Sequence, residues 1–162
     1  MSIISTLIES LKFNRVRTLA TIDKIEADPR SQALLAWRQS PGRAHIAWQL
    51  MHIGITEELF ATERLTSKKP QYTDLVPRFK GGSTPDNNIP SLAEIRKILS
   101  ESRDHLIATL SEMNESQLSV VPEGLKERKL TLLDAIHILI WHEAHHQGQV
   151  HYAMNSFPAA NP

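Results

Sequence analysis

Apolar residues recur at helical steps through most of the chain. Between Ser2 and Ala27, Ile4, Leu7, Ile8, Leu11, Leu19, Ile22 and Ile25 keep steps of three and four, apart from a polar turn at Asn14 and Arg15. That spacing lays one apolar stripe along an α-helix. Asp28-Pro29 ends it, because the residue before a proline avoids the helical region. Ser31 to Gln39 predicts a short helical piece before Pro41-Gly42. A second long helix is predicted from Ala44 to Leu65. It has His45, Gln49, His52 and Thr56 on one face, and Glu57, Glu58, Glu63 and Arg64 on a charged side.

Thr66 to Pro90 breaks the pattern, with Pro70, Pro77, Pro85 and Pro90 among Gly81-Gly82, Asp86 and Asn87-Asn88. It reads as a long connection with little regular structure, a crossover between helices in preference to a lid. Ser91-Leu92-Ala93-Glu94 is a capping-box signature. It opens a third helix in which Leu92, Ile95, Leu99, Leu106, Leu110 and Met113 repeat at helical spacing. Asn114 to Lys129, with Pro122 and Gly124, is a second connection with room for one helical turn. Thr131 and Asp134 form a weaker capping pair at the start of a fourth helix, which Pro158 is expected to stop near Asn155. No strand-like alternation competes. The expected fold class is all-α, an up-down-down-up four-helix bundle with a long crossover connection, in a single domain over residues 1–162.

Composition narrows the function classes. The 162 residues are 41% hydrophobic and 22% charged, and eighteen basic side chains balance eighteen acidic ones. Without a basic run, neither nucleic acid nor an anionic membrane is expected as a partner. The absence of cysteine excludes disulfides, thiolate ligands and cysteine nucleophiles, and fits a reducing compartment. Met1 to Lys12 is amphipathic, unlike a secretory signal, and no stretch approaches the roughly 20 apolar residues that span a bilayer. A cytoplasmic location is expected.

Five of the eight histidines lie between His137 and His151 in the predicted fourth helix. His142 and His146 stand one turn apart and roughly 40° from each other around the helix, so both imidazoles can reach one ion. Their face also carries Ala135, Ile138, Gln149 and Ala153, which points it inward. Buried imidazoles are costly to leave unpaired, and a metal would satisfy them. His151 and His137 point away, as solvated residues, and His145 sits off the centre of the face. A further ligand must come from elsewhere, with His52 and His45 the candidates on the second helix. Three nitrogen ligands leave positions open for water or substrate, as at a catalytic metal. Imidazole suits zinc, nickel and ferrous iron alike. The competing readings are a metal or haem binder without turnover, and a structural protein whose histidines satisfy one another.

The run His142-Glu143-Ala144-His145-His146-Gln147-Gly148-Gln149-Val150 resembles the last-helix signature of the DinB/YfiT-like superfamily. Arg43-Ala44-His45-Ile46-Ala47-Trp48-Gln49-Leu50-Met51-His52-Ile53 resembles its second-helix segment. Carried over by position, the resemblance implies His52, His142 and His146 as metal ligands, with His45 and His145 as nearby alternatives. It also implies a metal-dependent transferase or hydrolase, acting on a small-molecule substrate with a low-molecular-weight thiol as cosubstrate, and a homodimer. No catalytic residue is named by it. Glu57, Glu143 and Gln149 are near enough in sequence to orient the ligands, with Gln149 expected to cap a histidine and Glu143 to be a surface charge. Trp48 and Trp141 are expected to fill core, and Arg43 and Arg128 are available to an anionic substrate.

Overall fold

The structure, a computed structural model, describes residues 2–160, the side chains of 158–160 excepted. Among them there is no strand. Helix α1 spans Ile3–Ala27, with Ser2 capping its N-terminus by accepting from the Ser5 amide. The short α2, Ser31–Ala36, follows across Pro29. Helix α3 runs Ile46–Leu59 and passes into a π-helical turn, Phe60–Arg64, so the helix expected to start at Ala44 begins two residues later. His45 supplies its cap, the ring Nδ1 accepting from the Trp48 amide at 2.9 Å.

The connection 66–90 contains one helical turn, α4, Val76–Phe79. Helix α5, Leu92–Ser111, starts on the predicted capping box, with Ser91 accepting from the Glu94 amide and the Glu94 carboxylate accepting from the Ser91 amide. Two 3-10 segments, Glu115–Gln117 and Glu123–Arg128, bridge to α6, Leu132–Ala160. Thr131 and Asp134 cap α6 reciprocally. Pro158 does not stop α6 at Asn155, as expected from its chemistry; the helix continues through it. Proline removes one amide donor, and so close to a helix end that is the loss of a single i→i−4 bond.

The long helices pack pairwise, α1 against α5 and α6, and α3 against α5 and α6. Their apolar faces form two clusters. One gathers Ile22, Ile25, Leu50, Ile95, Val150 and Phe157. The other gathers Ile8, Leu11, Phe60, Leu106, Leu132 and Leu139. Burying each such side chain contributes about 1.5–3 kcal/mol.

Between the clusters every long helix contributes charge. Arg15, Glu57, Arg103 and Glu143 are all buried, and both glutamates are at most 1% exposed. Sequence spacing placed Arg15 in a polar turn, Glu57 and Glu58 on a charged side and Glu143 on the surface; the structure corrects all four. α1, α3, α5 and α6 each contact two long neighbours, so each buries a wide arc, and the charges in that arc neutralise one another. Arg15 donates to Glu143 at 2.8 Å and to both oxygens of Glu57 at 2.9 and 3.0 Å. Arg103 donates to Glu143 at 2.5 Å and also to Glu57. Thr18 adds a hydroxyl bond to Glu143 at 2.8 Å. Glu58 accepts instead from the Gln71 amide at 2.9 Å and from His105 at 2.8 Å, tying the connection to α3 and α5.

Candidate metal centre

Helix α3 presents His52 one turn above the buried charge layer, and α6 presents His142 and His146 one turn apart. The three imidazoles converge where α3 packs on α6, each offering a nitrogen within 4.8 Å of the other two. His52 Nε2 and His142 Nε2 are 3.0 Å apart. The His146 ring lies edge-on to both, its centroid 4.7 Å from that of His52 and 4.4 Å from that of His142. Zinc–imidazole bonds of about 2.0–2.1 Å hold tetrahedral nitrogens roughly 3.3 Å apart. The spread here brackets that value, so small side-chain rotations suffice to seat one ion.

Hydrogen bonds on the far ring atoms fix which nitrogens are free. His52 Nδ1 lies 2.6 Å from the Phe79 carbonyl oxygen, which can only accept, so Nδ1 carries the proton and Nε2 the lone pair. His146 Nδ1 is bonded to Gln49 Oε1 and lies 3.1 Å from Gln149 Oε1. It too is the protonated nitrogen, leaving its Nε2 open. Second partners of this kind orient metal-binding histidines. With His52 Nε2 an acceptor, His142 Nε2–H donates to it in the metal-free protein. A metal would require that proton to leave or move to Nδ1.

Electrostatics favours neutral rings. His142 is lowered to about 3, mainly by burial and then by the neighbouring His146 and His52. His146 is also lowered to about 3, by burial and then by His52 and His145. Burial lowers His52 as well, against the opposing hydrogen bond to Phe79. Neutral imidazole is the metal-binding form, so these rings stand ready at neutral pH.

The connection 66–90 supplies part of this site. Trp48 stacks on His52 with ring centroids 4.6 Å apart and planes 15° from parallel. Its indole donates to the Arg78 carbonyl at 3.0 Å and lies 3.3 Å from the Ser83 hydroxyl. This holds Arg78-Phe79 at the Nδ1 edge of the His52 ring. Glu57 and Glu143 do not orient the three imidazoles directly. They bind Arg15 and Arg103 below. The partners that do, the Phe79 carbonyl and Gln49, went unassigned. A backbone carbonyl leaves no mark in a sequence, whereas Gln49 was visible on the His52 face.

The other histidines separate cleanly. His45 is buried as the α3 cap, and His145 is exposed, stacked on Trp141, its Nε2 accepting from the Gln149 side-chain amide at 2.9 Å. Neither belongs to the converging trio. His137 is exposed, and His151 is exposed with its Nε2 2.9 Å from the Thr21 hydroxyl. Gln149 caps His146 as expected but is exposed, not inward-facing. Trp48 is buried, whereas Trp141, expected in the core, is 60% exposed. It lies outside the arc of α6 that meets α1 and α3. Arg128 is exposed at the end of its 3-10 segment. Arg43 is exposed and lines a pocket of about 520 Å³ together with Gln49 and Gln149, the two residues bonded to His146. Among the described residues no helix is long and apolar enough to cross a membrane.

Residues 10–150 match the family model of the DinB superfamily. No curated protein and no solved structure matches the chain.

Proposed function

This chain belongs to the DinB superfamily, and from that premise we propose that it is an enzyme holding one divalent ion, zinc, nickel or iron, through Nε2 of His52, His142 and His146. The observation that carries the reading is the convergence of three neutral imidazole nitrogens within 4.8 Å, two of them oriented by bonds on their far nitrogens. Such an ion, when bound, lowers the pKa of a thiol or water and holds the resulting anion for attack. Three protein nitrogens leave coordination positions for that nucleophile. With no cysteine in the chain, the thiol is a low-molecular-weight cosubstrate. The reaction is its transfer to a small electrophile, or hydrolysis of one. His52 and His146 keep their Nδ1 protons on Phe79 and on the two glutamines, and the buried layer of Arg15, Glu57, Arg103 and Glu143 holds α3 and α6 at the spacing the trio needs.

The same reading takes residues 1–162 as one domain, an up-down-down-up bundle with 66–90 as its crossover. Supporting it, contacts advance together along α1 and α6, from Asn14–Ile140 to Thr21–His151. They run oppositely along α3 and α6, through Gln49–His146 and His52–His142. They advance together again along α3 and α5, through Glu57–Arg103 and Glu58–His105. A cytoplasmic homodimer without nucleic-acid or membrane partners completes the proposal. Exposed Phe13 and Val16 on α1, and Trp141 and Tyr152 on α6, offer apolar surface for a second copy to cover.

A second reading draws on the 3.0 Å His52–His142 contact, which satisfies both rings without any ion. Elemental mass spectrometry on tag-free protein separates the two, beside His52→Ala, His142→Ala and His146→Ala. One zinc, nickel or iron per chain, lost in each variant, supports the enzyme. No metal after reconstitution with each ion leaves a self-satisfied histidine cluster.

A further inference from the structure

The pocket of about 520 Å³ beside His146 lies between the 39–44 turn, the start of α3 and the later turns of α6. Its size is within the range of small-molecule sites, about 300–1,000 Å³. Its lining is unusual in charge. Arg43 carries the one formal charge among its described lining residues, and no carboxylate is there to neutralise it. The Arg43 guanidinium has no hydrogen-bond or ion-pair partner among the described residues. Around it stand amide and hydroxyl groups from Gln39, Ser40, Gln49, Gln149 and Tyr152.

Gln49 sharpens the picture. Its Oε1 is turned to His146 Nδ1, so its NH₂ faces the other way, and that NH₂ has no protein partner among the described residues. Ile46, the first residue of α3, also lines the pocket, placing the positive end of the α3 dipole at the wall. An unpaired guanidinium fork beside the free Gln49 amide calls for negative charge with paired oxygens. Ala44, Ile46 and Ala153 form apolar wall, which a bare inorganic ion would leave uncovered.

We propose that this pocket binds a small organic carboxylate, its carboxylate on Arg43 and the Gln49 amide and its carbon body against Ala44, Ile46 and Ala153. The site stands on its own lining and does not depend on a metal at the three histidines. Because Gln49 and Gln149 contact both the pocket and His146, an occupant would press their Oε1 atoms toward the Nδ1 proton that keeps Nε2 free.

The test is calorimetric titration of the full chain with adipate, its uncharged diamide adipamide and inorganic phosphate, beside Arg43→Ala and Arg43→Lys. Expected are saturable adipate binding, no measurable adipamide binding and phosphate weaker than adipate. Arg43→Ala should weaken adipate at least about tenfold, the loss of one charge-assisted contact, and Arg43→Lys should lose less. Arg43 is exposed, so neither variant threatens folding. Adipate binding unchanged in Arg43→Ala would place the anion elsewhere, at a metal for example, and overturn the proposal. Equal binding of diamide and diacid, phosphate binding at least as tight as adipate, or no adipate binding would overturn it as well. Metal content measured on the same samples keeps a failure here distinct from a failure of the metal reading.

Discussion

Arg15 on α1 donates to Glu143 on α6 at 2.8 Å, and that carboxylate belongs to the residue immediately after His142. The same guanidinium holds Glu57 on α3, one turn beyond His52. Helix α1 brings no residue to the histidine trio, yet through Arg15 it grips both helices that do. Two arginines and two glutamates balance in charge, so the layer is internally neutral. What it offers is a fixed arrangement, since replacing a complete buried pair by apolar residues is often neutral or stabilising.

Removing one member should therefore be worse than removing a pair. Glu143→Ala is expected to cost about 3–5 kcal/mol, because Arg15 and Arg103 are left sharing the single carboxylate of Glu57 and one buried charge is unbalanced. The double variant Arg15→Met with Glu143→Leu leaves Glu57 and Arg103 to pair, and should lose much less than the sum of the two single losses. Urea unfolding of Arg15→Met, Glu143→Leu and their double variant reads the coupling. Strict additivity would show that the pair is not one unit.

Metal should stabilise the fold by mass action. At zinc concentrations a hundredfold above Kd the gain is about 2.7 kcal/mol, which for a chain of this size raises Tm by roughly 5–10 °C. His52→Ala should fold without metal and show almost none of that rise. Differential scanning fluorimetry with and without zinc measures both. An equal shift in wild type and variant would mean that the ion binds elsewhere.

Acid should destabilise the metal-free protein through the same histidines. His142 and His146 are lowered from 6.5 to about 3, chiefly by burial, so the unfolded chain takes up protons that the folded chain refuses. Their contribution is fully present above pH 6.5 and is lost progressively as pH falls from there toward 3. His45, buried and lowered to about 4, works in the same direction. The urea midpoint should fall between pH 7.5 and pH 5, and His142→Gln should flatten that slope. A slope unchanged in His142→Gln would mean that other groups set the acid response.

The helices were legible because each carries a long apolar stripe and two of them open on reciprocal caps, Ser91 with Glu94 and Thr131 with Asp134. Part of the converging trio was legible because His142 and His146 share one helix face, whereas His52 was separated from His45 by the family resemblance alone. The charge layer was not. Glu57 and Glu143 look like solvent-facing residues until their partners, Arg15 and Arg103, are known to lie on other helices 42 and 40 positions away respectively. Hydrophobic periodicity reports the centre of a buried arc, and these residues sit at its flanks, where α1 and α5 close over them. The role of the 66–90 connection was hidden for a different reason. Its contact with His52 is made by a main-chain carbonyl at Phe79, which any residue could provide.

Close helix approach gives a prediction at two glycines. A Cβ on Gly54 would meet Ile98 Cγ2 at 2.8 Å where α3 packs on α5, whereas one on Gly124 would meet the Glu63 carbonyl oxygen at 2.3 Å. Cγ2 of a β-branched residue is stiff and the Ile98 backbone follows at 3.3 Å, so the α3–α5 seam must open slightly and Gly54→Ala should cost about 1–3 kcal/mol as overpacking. Gly124→Ala drives into backbone and should cost more. Urea denaturation ranks them; a reversed order would mean that the 3-10 segment at 123–128 yields more easily than the α3–α5 seam.

Trp48 tests whether the connection tunes the ligands. Its ring stacks on His52, and its Nε1–H donates to the Arg78 carbonyl at 3.0 Å, one residue before the carbonyl that accepts from His52 Nδ1. Trp48→Phe keeps an aromatic ring over His52 and loses only the donor. If that donor merely ties down a loop, the variant should lose about 1 kcal/mol of stability and bind zinc as before. If it positions Phe79 to orient His52, zinc affinity should fall by about tenfold or more, as for other outer partners of metal histidines. We expect the second outcome. His45→Ala is the comparison, since it removes the α3 cap at about 1 kcal/mol and, although His45 lies beside Asp86 of the connection, leaves the Trp48–Arg78 and His52–Phe79 bonds their own partners. Competition with a chromophoric chelator gives the affinities and urea unfolding the stabilities. An affinity loss in Trp48→Phe without one in His45→Ala would assign the connection a part in holding the metal, and equal losses in both would reduce it to a structural strap.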